Sequence, residues 1–115
     1  MQNQKNYRIH YSTQSRIDLD EIWDYIEIEL QNPSAARHIV NEIMNAIEQL
    51  AYFAKMGAPL SSVIPLESDY RFLVTGNYLT FYRTSDFDVY VDRILNSRQD
   101  YLHILFDEMT SDTKE

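Results

Sequence analysis

Between Tyr70 and Tyr101, three short runs rich in aromatic and β-branched residues follow one another almost without interruption: Tyr70–Thr75, Tyr78–Arg83 and Phe87–Leu95. Gly76-Asn77 separates the first two, and Thr84-Ser85-Asp86 the last two. Glycine at the first central position of a two-residue loop accepts the positive φ that a tight hairpin needs, so Gly-Asn between strand-like runs predicts a hairpin. The whole stretch therefore reads as a three-stranded β-meander on which the rest of the chain must pack. It also carries Arg71, Arg83, Arg93 and Arg98, four of the seven arginines in the sequence.

Upstream, Tyr7-Arg8-Ile9-His10-Tyr11 alternates in polarity and predicts a short strand, with His10 on the solvent side. Ser12 and Thr13 offer hydroxyls for a helix N-cap. From about Thr13 to Gln31, Leu19, Ile22, Trp23, Ile26 and Leu30 fall on one helical stripe. Asp18, Glu21, Glu27 and Glu29 lie off it and read as a solvated face, and Trp23 reads as a core anchor. The acidic run has no histidine among its carboxylates, so no metal site and no cofactor are expected. Asn32-Pro33 is an N-cap followed by a first-turn proline. A second helix then carries a broad apolar stripe through Ala36, Ile39, Val40, Ile43, Met44, Ile47 and Leu50. With so short a link the two helices must form an antiparallel hairpin lying across the sheet. Gly57 reads as the stop of the second helix, and the segment from there to Asp69 as a loop with no clean period. Its apolar residues, Leu60, Val63, Ile64 and Leu66, suit either packing over the sheet edge or contact with a partner.

The fold class that follows is α+β: one domain over residues 1–106, β-α-α-β-β-β, with a short helix from about Gln99 to Phe106. Residues 107–115 are acidic and expected to be a disordered tail. Within the meander Val89, Val91, Arg93 and Leu95 are expected on one face. An arginine among them needs an acceptor, because an unpaired buried charge is very costly, and Asp86, Asp88 and backbone carbonyls are the candidates.

A chain of 115 residues without cysteine excludes thiolate catalysis and cysteine-based metal sites. Its polar start and the lack of a long apolar run lead to the expectation of a cytoplasmic protein with no leader and no membrane contact. The formal net charge is −8. Residues 1–50 carry eight acidic against four basic side chains, whereas Arg71 to Arg98 holds four arginines against three aspartates. A nucleic acid would meet a repulsive far field relieved only at the meander, so direct nucleic-acid binding is not expected.

The run GNYLTFYR, the strand DVYVDRIL and then NSRQDY resemble the C-terminal half of RelE/ParE toxins of bacterial type II toxin–antitoxin (plasmid stabilisation) modules. DLDEIWDYI, NPSAARHIVNEIMNAIEQL and FAKMGAPL stand upstream in the family's order, so the resemblance spans roughly residues 7–106. It implies a toxin whose partner is a cognate antitoxin. In the RNA-cleaving branch, cationic residues on the meander and a late tyrosine, histidine or glutamate act on the phosphate and its neighbouring hydroxyls. Matched to that branch, this sequence offers Arg71, Arg83 and Arg98 as phosphate contacts and Tyr101 or His103 as acid or base. The match is incomplete. The branch's meander arginine falls near Leu79 or Thr80, its late tyrosine near Ile104, and its lysine-rich segment is replaced by a loop without a basic residue after Lys55. The ParE-like branch, which acts by binding and whose target class is DNA gyrase, needs no catalytic set and shares the NYxxFYR and RxDY pattern. The resemblance thus implies a gyrase-binding toxin, with an mRNA endoribonuclease and a non-toxic antitoxin-binding relative as alternatives. For the partner surface it points to Tyr70, Arg71, Tyr82, Arg83, Arg98 and Tyr101.

Overall fold

The computed structural model describes residues 6–106; the acidic segment 107–115 lies outside them. Strand β1 (Arg8–Tyr11) leads into α1 (Thr13–Asp24), a π-helical turn (Tyr25–Glu29) and α2 (Pro33–Glu48). Four more strands follow: β2 (Ala58–Pro59), β3 (Arg71–Thr75), β4 (Tyr78–Ser85) and β5 (Asp88–Asn96). Residues 101–106 form a final helix. Among the described residues the sheet has five strands in the order β1-β5-β4-β3-β2, antiparallel except for the parallel pair β1 and β5. No helix among them is long and apolar enough to cross a membrane.

Local signals set most boundaries. Ser12 caps α1 by accepting from the Ser15 backbone N–H at 2.9 Å, and its own hydroxyl donates to the Asp92 carbonyl at 2.8 Å. One side chain thereby ends β1, starts α1 and fixes both to β5. Asn32 caps α2 by accepting from the Ala35 N–H at 3.1 Å, with Pro33 in the first turn. Gly76 adopts φ 59° in the β3–β4 hairpin. The next connection is tighter than the sequence suggests, because β4 runs on to Ser85 and the turn is Asp86-Phe87, with Asp86 at φ 54°.

Both sheet faces are covered. On one, α1, the π turn, α2 and the 3-10 turn Gln49–Ala51 that follows it pack through Ile22, Ile26, Ala36, Ile43, Ile47 and Leu50 against Leu73, Tyr82, Val89, Val91 and Ile94. Burying each large aliphatic side chain contributes on the order of 1.5–3 kcal/mol. On the other, Leu79, Phe81 and Leu95 lie beneath Leu60 and Leu105, with Tyr101, Leu102 and Phe106 packed around them.

Several expectations need correction. The first helix does not run evenly to Gln31: it widens into the π turn, and Leu30, expected on the buried stripe, is 57% exposed. The buried stripe is Ser15, Asp18, Ile22 and Ile26, so Asp18 faces inward. Gly57 does not stop α2, which ends at Glu48; it lies buried where the chain crosses Tyr82. The segment after Gly57 is partly ordered into β2 and a 3-10 turn, Leu60–Ser62. Finally, the β4–β5 register pairs Phe81 with Arg93 but Tyr82 with Val91, so Asp92 is an extra residue in β5. This bulge reverses the alternation: Val89, Val91 and Ile94 share the helical face, and Leu95 faces away.

The β1–β5 pairing is pinned by Asp88, which accepts from Arg8 Nε at 3.0 Å and Nη2 at 3.2 Å and lies 2.8 Å from His10 Nε2. His10 also stacks on Tyr90, with ring centroids 5.0 Å apart. The hydrogen bond from His10, with help from Arg8, holds the Asp88 carboxyl below its ordinary 3.8. A carboxyl with a depressed folded pKa contributes stability that is present above its unfolded value and lost as pH falls through the folded one. The difference in thermal unfolding between wild type and Asp88→Asn should therefore shrink as pH falls through the carboxylate range. A gap that stays constant throughout would mean that the Asp88 contacts do not stabilise the folded state.

Candidate functional site

The residues expected at the site are distributed over three places. The first is internal. Tyr82 is fully buried; its hydroxyl donates to the Ala54 carbonyl at 2.8 Å and accepts from the Gly57 N–H at 2.9 Å. Arg71 Nη1 donates to the carbonyls of Lys55 at 3.1 Å and Gly57 at 2.6 Å. Together they pin segment 54–57 to the sheet. Tyr82 does not fit the expected partner surface, because it has no accessible area, and Arg71, which is half-buried, has its Nη1 engaged by backbone acceptors.

The second place is built on the bulge. Asp92 Oδ2 accepts from Tyr70 Oη and from Arg83 Nε, each at 2.9 Å, and the Arg83 guanidinium lies 5.8 Å from the centre of the Tyr70 ring. Burial, and then the Asp92 carboxylate, push the Tyr70 hydroxyl well above its usual range. Tyr70 thus keeps its proton as the donor to Asp92. Phe106 meets Tyr70 edge-on at 6.1 Å, bounding a cleft of ≈ 460 Å³ whose rim includes Glu67 and Asp69. Two rim carboxylates beside Arg83 make this an unfavourable seat for phosphate. Nearby on the final helix, Tyr101 packs 5.4 Å from Phe81, ring centre to ring centre, and His103 is exposed.

The third place is a cleft of ≈ 420 Å³ between α1 with its π turn and the end of β5. Ile22, Ile94, Tyr25 and Tyr78 are among its lining residues. The π turn is held by the Leu30 N–H donating five residues back to the Tyr25 carbonyl at 3.3 Å. Such insertions in helices recur at functional sites. Beyond β5 the chain is held by short bonds: Ser97 N–H to the Asn77 carbonyl at 2.7 Å, and Arg98 N–H to Asn96 Oδ1 at 2.8 Å. That loop places Arg98 at the cleft. Its guanidinium has no hydrogen-bond or ion-pair partner among the described residues, and it is exposed.

Behind this cleft lies a feature the sequence reading misassigned. Arg93 pairs with Asp18, not with Asp86 or Asp88: its Nε and Nη2 donate to the carboxylate at 2.9 and 3.0 Å. Asp18 Oδ2 also accepts from the Ile94 backbone N–H at 2.9 Å. The registered β1–β5 pairs end at Tyr11 and Val91, and Asp18 supplies an acceptor for a strand N–H beyond that point. The available signal was positional: Asp18 stands one helical turn before Ile22, on the inward stripe.

As a set for RNA cleavage, Arg71, Arg83, Arg98, Tyr101 and His103 are not assembled. Arg83 and Arg98 line different clefts, Arg71 binds backbone carbonyls, and Tyr101 packs on Phe81.

A helical hairpin on a mainly antiparallel sheet, with a parallel outer strand and a short helix closing the far face, is the architecture of RelE/ParE-type toxins. Over 78% of its length the chain superposes on 95% of a chain from the chromosomal ParDE toxin–antitoxin system of P. aeruginosa, with a TM-score of 0.65 at 23% identity. It also superposes on a chain of the RelBE2 toxin–antitoxin complex of Mycobacterium tuberculosis, with a TM-score of 0.56 at 17% identity, covering 84% of this chain and 97% of that one. In sequence it is 34% identical over 79 residues to Toxin ParE1 of Caulobacter vibrioides, covering 69% of this chain and 76% of the relative. Residues 9–101 match the family described as ParE toxin of type II toxin-antitoxin system, parDE. The chain belongs to this ParE family and is a type II toxin–antitoxin toxin.

Proposed function

We propose that this toxin is neutralised by a cognate antitoxin seated in the cleft beside Arg98, and that it acts by binding a protein target such as DNA gyrase. The observation that carries the reading is the separation of the cationic side chains. Arg71, Arg83 and Arg93 are engaged by carbonyls or carboxylates of the chain itself, and Arg98 alone of the four meander arginines has no such partner. Phosphoryl chemistry needs several donors converging on one group, whereas recognition of a protein segment needs an apolar pocket with a few oriented polar groups. The Arg98 cleft has the second composition, and the net charge of −8 opposes the approach of RNA.

The test is to induce the toxin alone in a bacterial culture and follow DNA and protein synthesis over the first minutes. DNA synthesis should stop first, with translation continuing. Translation stopping first would return the ribonuclease reading, and no change in either would leave an antitoxin-binding relative without a lethal target.

A further inference from the structure

The Arg98 cleft carries a charge pattern that goes beyond the shape of a pocket. Four ionisable side chains of formal charge line it: Asp18, Glu21, Arg93 and Arg98. Asp18 and Arg93 neutralise each other through a two-pronged pair, with the Asp18 side chain 3% and the Arg93 side chain 12% exposed. What remains is one carboxylate, Glu21, and one guanidinium, Arg98. Both are exposed, and neither side chain has a partner among the described residues. Glu21 comes from α1, and Arg98 from the loop that follows β5. Ile22, Ile94, Tyr25 and Tyr78 line the same cleft.

We infer that Glu21 and Arg98 are the specificity pair of this cleft. They select an antitoxin segment in which an apolar side chain is flanked by a cation on the Glu21 side and a carboxylate on the Arg98 side. This rests on the antitoxin reading above and adds to it the chemistry of the occupant. The reason is electrostatic. An occupant with a single sign of charge would gain at one wall and be repelled at the other. A segment bearing both signs in the right order is favoured at both, and one with the order reversed is opposed at both. Charge placed at the rim of an interface in this way acts on partner choice and association rate more than on total affinity. The apolar anchor entering toward Ile22 and Ile94 supplies the affinity. On a helical occupant, residues three or four apart share a face, so anchor and flanking charges can all reach the cleft from one side.

The experiment titrates purified cognate antitoxin against the full toxin chain and its charge-reversed variants by calorimetry, at low and at high salt. Arg98→Glu and Glu21→Lys should each weaken binding by at least about tenfold at low salt, and the wild-type affinity should fall more steeply with salt than that of either variant. Reversing the antitoxin's acidic side chains to lysine one at a time should restore binding to the Arg98→Glu toxin at one position, an outcome that misfolding of the toxin cannot produce. The inference is overturned if both variants bind within about twofold of wild type, if the wild-type affinity is indifferent to salt, or if no reversal in the antitoxin restores Arg98→Glu. In each of those cases wild-type binding would leave the antitoxin reading intact, whereas a wild-type chain that fails to bind the antitoxin removes that reading itself.

Discussion

Replacing Asp18 with alanine should lower the unfolding free energy by about 3–5 kcal/mol, the range found when one member of a buried ion pair is removed. The change removes contacts from two groups. Arg93 would keep a largely buried guanidinium after losing both bonds to the carboxylate, and the Ile94 N–H would lose its acceptor. The Ile94 N–H cannot easily reach water, because Ile94 is 1% exposed, and the Arg93 side chain is only 12% exposed. Urea unfolding of Asp18→Ala measures the loss directly. A companion double variant, Asp18→Leu with Arg93→Met, should recover part of it, because replacing both charges by apolar side chains leaves no unpaired charge between the two positions, while the Ile94 N–H still lacks its acceptor. If the single variant costs less than about 1 kcal/mol, the pair does not anchor α1 to β5 as described.

Gly57→Ala should cost about 2–3 kcal/mol by overpacking. A Cβ at this position would lie 2.7 Å from the Tyr82 hydroxyl oxygen, 2.8 Å from the Phe72 carbonyl oxygen and 2.8 Å from a Tyr82 ring carbon. The tyrosine is held by its bonds to Ala54 and Gly57, and the carbonyl belongs to β3, so neither can yield without disturbing the sheet. Adding Tyr82→Phe to Gly57→Ala removes the nearest atom but not the carbonyl, and should relieve only part of the strain. The two changes will therefore not be additive, as expected for groups in contact. Gly76 is the useful contrast: nothing lies within 4 Å of a Cβ there, and alanine would meet only the cost of φ 59°, about 1–2 kcal/mol. Denaturant midpoints of the two alanine variants should rank accordingly, and equal midpoints would show that the crossing at Tyr82 is looser than these distances imply.

Local chemistry was legible without coordinates. Gly76-Asn77 marked the hairpin, Ser12 and Asn32 the two helix starts, and the short Asn32-Pro33 link the antiparallel helices. The strand runs came within a residue or two of their ends, and the α+β class followed from their order. Each of these depends on residues close together in the chain, so the sequence holds the whole of the relevant physics.

The site depended on residues far apart. One extra residue at Asp92 reverses the facing of everything after it in β5, and no local pattern marks where a partner strand will skip a residue. Asp18 and Arg93 are 75 residues apart, and only the docking of α1 on β5 makes a helix carboxylate, read in isolation as solvated, the nearest acceptor. The same holds for Tyr82 and Arg71, whose polar ends suggested a surface but meet backbone groups of segment 54–57. A side chain's type states what it can bind; whether the chain itself already satisfies that capacity is decided by packing. Here packing engages three of the four meander arginines with internal acceptors and leaves Arg98 beside an apolar cleft, a distinction that only the tertiary structure could draw.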